Sequence, residues 1–185
     1  IAFWSPEKNC YFAYIRDFHD RKKGGDWNSA IRDVRMMTSS DFKTWTVPEL
    51  IDFGGAEDYP LYTNEIQRYP RAPHIFIGFP SRYMERKTWT ENVAALPNPQ
   101  RREKLCKVHP RYGLTVTDTL FMSSRDGIRF HRFDEAFIAP EIEQRYNWVY
   151  GDCYPATGLV ETKSALAYAP DEYSFYCYEK HWSGE

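Results

Sequence analysis

One pattern occurs twice in this chain in a single register. Met37-Thr38-Ser39-Ser40-Asp41-Phe42-Lys43-Thr44-Trp45 lies over Met122-Ser123-Ser124-Arg125-Asp126-Gly127-Ile128-Arg129-Phe130, 85 residues further on. Both copies read Ser-x-Asp-x-x-x-aromatic, with an apolar run before and a polar or aromatic run after. The physics is that of a tight turn between two strands. Ser and Asp side chains accept backbone N–H bonds within it, Gly127 supplies a positive φ, and the aromatic residue pins the returning strand. A motif repeated at a fixed interval marks a chain built from successive similar units.

The rest of the chain fits that frame. Helical periodicity is scarce, and short runs rich in β-branched and aromatic residues alternate with Gly, Pro, Asn and Asp. Strands are predicted at 11–16, 33–39, 62–69, 74–79, 119–123, 148–153, 156–161, 165–169 and 173–178. Residues 85–112 are polar and interrupted by prolines, and read as a long surface insertion with one helical turn near 90–95. Within it Arg101, Arg102, Lys104 and Lys107 read as a solvated loop. An aromatic share of 17% suits rings packed on pleated strands, and also the walls of sugar-binding clefts.

The fold class expected is all-β, and among sandwich, barrel and propeller the repeat selects the propeller. Leu61-Tyr62-Thr63-Asn64-Glu65 opens the middle unit and Val149-Tyr150-Gly151-Asp152-Cys153-Tyr154 the next. Residues 1–185 thus hold between two and three four-stranded units of one domain. A propeller closes with about four or more, so the chain is expected to be part of a larger one. It runs straight into Ile1, Ala2, Phe3 and Trp4, and both ends read as cuts; a cellular compartment is not legible from it.

Charge and cysteine content exclude several classes. A net charge of −2 offers no basic field for nucleic acid. Cys10, Cys106, Cys153 and Cys177 are scattered without metal-ligand spacing, so no metal site is expected and the thiols read as small hydrophobes. No run of about 18 apolar residues exists to span a membrane. A phosphate-binding Gly-rich loop, a Ser-His-Asp order and His-Glu-x-x-His are all missing, which argues against cofactor-dependent redox or phosphoryl transfer. No cofactor is expected.

Ser39-Ser40-Asp41-Phe42-Lys43-Thr44-Trp45-Thr46 resembles the blade turn of the five-bladed propellers in glycoside hydrolase families 32 and 43. Ser124-Arg125-Asp126-Gly127-Ile128-Arg129-Phe130 is similar to the same turn and to the degenerate Asp-box of sialidases. Asn64-Glu65-Ile66-Gln67, leading into Arg71-Ala72-Pro73-His74-Ile75-Phe76-Ile77-Gly78-Phe79, is similar to bacterial proteins grouped with those hydrolases. The resemblance implies a carbohydrate ligand and hydrolysis of O-glycosidic bonds. The family's Asn-Asp-Pro, Arg-Asp-Pro and Glu-Cys-Pro signatures are missing. Arg16-Asp17-Phe18 and Arg32-Asp33-Val34 keep two residues of the second, and Gly151-Asp152-Cys153 is its nearest counterpart in order.

Glycoside hydrolysis needs a carboxylic acid for the leaving oxygen and a second carboxylate about 5–10 Å away. Glu65 and Asp152 open successive units and are the first candidates, with Glu161 as a further acid. Arg71, with its planar donor fork, and His74 are candidates for sugar contacts, as are Asp17 and Arg32. Tyr62 and Trp148 are candidate stacking platforms. Two other readings remain open: a propeller that binds carbohydrate without cutting it, and a sialidase-like one in which Arg16, Arg32 and Arg71 grip a carboxylated sugar.

Overall fold

The computed structural model describes residues 1–20, 30–140 and 153–178. Strands dominate, in antiparallel sheets. The first sheet is a meander of β1 (Ala2–Ser5), β2 (Cys10–His19), β3 (Ile31–Ser39) and β4 (Glu49–Leu50), paired in chain order. The second contains β5 (Gln67–Tyr69), β6 (Ala72–Gly78), β7 (Ser81–Met84), β8 (Val116–Ser124) and β9 (His131–Ile138). β6 and β7 form one strand in register terms: Gly78 faces Met122 and Ser81 faces Thr119 on the same β8. Pro80, which has no N–H to give, interrupts it, while its carbonyl still accepts from the Leu120 amide at 2.9 Å. The second sheet is thereby also a four-strand meander, β5, β6–β7, β8, β9.

The repeated turn sits between the third and fourth strand of each meander, and its two copies make matching bonds. Ser39 Oγ lies 3.0 Å from Asp41 Oδ1, which accepts from the Lys43 and Thr44 amides at 2.8 and 2.7 Å. Ser124 Oγ lies 3.0 Å from Asp126 Oδ1, which accepts from the Ile128 and Arg129 amides at 3.0 and 2.8 Å. The Thr44 and Lys43 amides, then Ser39, hold the Asp41 carboxyl down at about 2. Phe42 and Gly127, each just after its aspartate, both adopt positive φ, 62° and 86°.

The core lies between the sheets, where Phe12, Tyr14 and Val34 of the first meet Phe76, Leu120 and Met122 of the second. Tyr14 Oη donates to the Gly127 carbonyl at 2.7 Å, tying the first sheet to the second turn. Residues 51–62, connecting the sheets, bond to both: the Ile51 amide to Val34 O and the Leu61 amide to Arg32 O, the Asp52 amide to Ile128 O and the Tyr62 amide to Ser81 O. The far face of the second sheet carries Phe79 and Phe121, and Phe79 meets Phe175 of the third unit at 4.7 Å. That unit comprises β10 (Tyr154–Pro155) paired with β13 (Cys177–Tyr178), and β11 (Val160–Thr162) paired with β12 (Glu172–Ser174).

Several expected elements differ. Residues 62–66 form an irregular segment ahead of β5, and 165–169 are bends and a turn; no strand forms there. The insertion is helical, with α1 (Glu91–Ala94), α2 (Pro99–Val108) and α3 (Pro110–Leu114). α1 is capped by Thr90 Oγ1, which accepts from the Val93 amide. The basic stretch expected as a solvated loop is instead α2, started by Pro99 at its first turn. Arg102 within it is 2% exposed, its Nε donating to Pro97 O at 2.9 Å. No apolar stripe announces this helix, because its inward contact is made by an arginine. All four thiols are free. Among the described residues no helix is long and apolar enough to cross a membrane.

Candidate functional site

Three of the expected site residues lie where the three units adjoin. Tyr62 follows the connection between the sheets and stacks on Tyr154 of β10, with centroids 5.4 Å apart and planes 18° from parallel. The Arg16 guanidinium lies 5.7 Å from the Tyr62 ring centre and that of Arg32 5.6 Å from it. Arg32 also lies over Phe18 and Tyr83. Glu65, three residues beyond Tyr62, accepts from Thr157 Oγ1, three residues beyond Tyr154. Glu65 holds a left-handed backbone, φ 42°, as does Cys153 at the entry to the third unit, φ 55°. Non-glycine residues in that region are strained and persist only where the surroundings hold them.

The pairing of β2 with β3 explains the arginines. Arg16 faces Val34 and Phe18 faces Arg32, so the two arginines are diagonal neighbours on one sheet face, roughly 7–8 Å apart along the backbone. Phe12 and Tyr14 precede them on this face and belong to the core; the face thus ends in cations. Arg32 Nε is buried without a hydrogen-bond partner among the described residues. Neither guanidinium has a carboxylate at ion-pair distance among them.

The remaining candidates lie elsewhere. Asp17 is exposed on the opposite face of the first sheet, its Oδ2 3.2 Å from Arg35 Nε. Arg71 lies 4.8 Å from the Tyr173 ring centre and donates to the Asp171 carbonyl, on the third unit. The three arginines of the sialidase-like reading therefore do not converge; two of them do. His74 is exposed beside Ser5, Glu7 and Arg125 in a shallow pocket of about 150 Å³. Glu161 is exposed on β11 opposite Tyr173. Asp152 and Trp148 lie outside the described residues.

A second polar cluster has no signal in the sequence, because its members are 14 and 39 residues apart. His19 lies with Nδ1 3.1 Å from Asp33 Oδ2 and Nε2 2.6 Å from Asp58 Oδ2. Asp33 is buried and also takes Arg35 at 3.0 Å. Burial of the ring opposes its charge, but the hydrogen bonds and attraction of Asp58 and Asp33 outweigh it and raise the His19 pKa. The cluster edges a pocket of about 200 Å³ lined by Arg32, Phe53 and Tyr59 as well. His19, Asp20 and Asp58 bring ligand-type atoms within 4.8 Å of one another, a convergence that linear spacing does not reveal. The His19 ring nitrogens are already engaged by carboxylates.

Tyr154 and Thr157 are the junction residues that sequence reading missed. Nothing in a short, irregular third unit marks them until the fold lays that unit beside Tyr62. Comparison with known protein families, curated proteins and solved structures gives no match.

Proposed function

We propose that this chain contributes two units and part of a third to a β-propeller that hydrolyses O-glycosidic bonds, with the sugar seated at the Tyr62 junction. The propeller reading is supported by how equivalent faces are used. Aligning the turns places Tyr11, Ala13 and Met37 of the first sheet over Phe76, Gly78 and Met122 of the second. The second set packs against the first sheet, while the opposite face of the second sheet meets the third unit. Each unit thus stacks on the next in the same sense, as blades do.

The observation that carries the functional reading is the stacked Tyr62–Tyr154 pair flanked by Arg16 and Arg32, with Glu65 bonded across the same junction. Rings offer an apolar floor to a sugar face, guanidiniums donate to its oxygens, and a half-buried carboxyl can serve as acid or base. Glu65 and Asp152 are the carboxyl pair in this scheme, one protonating the leaving oxygen and the other attacking or activating water. The missing family signatures favour a second reading, recognition of glycans without cleavage.

Activity on aryl-glycosides and polysaccharides, measured beside a Glu65→Gln, Asp152→Asn double variant, separates these. Turnover lost in the variant supports hydrolysis by this pair. Turnover that survives moves the acids elsewhere. Binding without turnover leaves a glycan-recognition protein.

A further inference from the structure

Independently of the glycan reading, we infer that His19, Asp20 and Asp58 form a binding site for a divalent transition-metal ion of the zinc class. Two stretches supply it. His19 ends β2 and Asp20 follows with a left-handed backbone, φ 53°, while Asp58 comes from the connection between the sheets. A ligand-type atom of each lies within 4.8 Å of the other two. His19 Nε2 stands 2.6 Å from Asp58 Oδ2 and 4.0 Å from Asp20 Oδ2. Ligands on a tetrahedral ion with bonds of about 2.0–2.2 Å sit roughly 3.3–3.5 Å apart, between those two separations. Both aspartates are exposed, so small side-chain rotations seat the ion.

The imidazole is set for this role from behind. Nδ1 lies 3.1 Å from Oδ2 of Asp33, a buried carboxylate whose charge Arg35 meets at 3.0 Å. A metal-bound histidine characteristically gives its other ring N–H to such a carboxylate, which fixes the tautomer and aims the free nitrogen. With Nδ1–H given to Asp33, Nε2 turns a lone pair toward two further carboxylates. Lone pair and carboxylate oxygens all accept and none donates, so a cation belongs between them. No Lys or Arg lies at ion-pair distance from Asp20 or Asp58 among the described residues. One neutral imidazole and two carboxylates balance a dication. They suit zinc, which takes nitrogen and oxygen together, better than calcium, which prefers a larger all-oxygen set. Three protein ligands leave a fourth tetrahedral position to water. So seated, the ion ties the end of β2 to the connection shortly before Tyr62.

Calorimetric titration of the chelator-treated, reduced protein with zinc chloride, and separately with calcium chloride, tests this. Zinc is expected to bind, and Asp20→Ala and Asp58→Asn each to weaken it. Losing an outer partner of a ligand already costs about 10–100-fold in affinity, so losing a ligand should cost at least about tenfold. Both side chains are exposed, and neither variant touches the core. In nitrogen-15 spectra of the imidazoles, zinc is expected to shift His19 Nε2 and to leave His74 and His131 in place. An absence of zinc binding would overturn the inference. So would binding of unchanged affinity in both variants, which would put zinc on thiols or other histidines. Calcium bound more tightly than zinc would overturn the transition-metal assignment. Each of these outcomes leaves the glycan reading standing.

Discussion

Asp33 and Asp118 hold the same place in two successive sheets. Each stands on the third strand, six residues before the serine of the repeated turn, and each faces the second strand of its own meander, at Asp17 and Arg82. Both are buried, 4% and 7% exposed, and both are held by an arginine, Arg35 at 3.0 Å and Arg82 at 2.6 Å. The repeat therefore extends beyond the turn into a buried carboxylate whose cation comes from a different strand in each unit.

Removing Asp118 strands the Arg82 guanidinium, which is itself 7% exposed. Breaking such a buried pair costs about 3–5 kcal/mol, and urea unfolding of Asp118→Ala is expected to show a loss of that size. A double Arg82→Met, Asp118→Leu variant should recover much of it, because no unpaired charge remains. Asp33→Ala should cost less, since Arg35 keeps Asp17 and is more exposed.

The two left-handed turn positions should respond unequally to substitution. A Cβ at Gly127 would meet Tyr14 Oη at 2.8 Å and Phe12 Cε1 at 3.0 Å, in a backbone with φ +86°. Gly127→Ala is therefore expected to destabilise by roughly 1–3 kcal/mol. Phe42→Gly relieves backbone strain and loses the ring contacts to Tyr11 and Trp45. It should change stability by no more than about 1 kcal/mol. Melting temperatures of the two variants check the order.

His19 sets a pH dependence of definite sign. Only an imidazolium can donate to Asp33 and Asp58 together, and its pKa in the folded protein lies above the ordinary value. The stability it contributes is fully present below the ordinary histidine range, near 6.5, and is lost as pH rises through the folded value. Urea midpoints should fall across that interval. Asp58→Asn should flatten the fall, because an amide can donate to a neutral ring nitrogen. A midpoint that rises with pH there would contradict the assignment, and the His19 ring proton shifts titrated by NMR give the pKa directly.

Much of the frame was legible in the chain. β2, β3, β6 and β8 fall near their expected places, because alternating apolar residues and the two turns mark them. β1 was not anticipated, since Ala2–Ser5 is too short to show a period; β9 was expected only as the polar or aromatic strand returning from the second turn, without bounds, because it carries Arg132, Asp134 and Glu135 among its apolar residues. The candidate site was legible in part. Tyr62 and Glu65 stood out within one segment and Arg32 as a residue type, yet nothing in one dimension linked Arg32 to that segment, or any of them to Tyr154 and Thr157.

The sequence alone determined the all-β character, the turn chemistry at Asp41 and Asp126, and the positive φ at Gly127. These depend on side chains acting on backbone within a few residues. Tertiary structure decided which charges meet. Strand register sets Arg16 beside Arg32 and turns Asp17 away, and the connection at 51–62 carries Asp58 to His19. Such neighbours are fixed by sheet pairing and packing across tens of residues, and no local pattern records them.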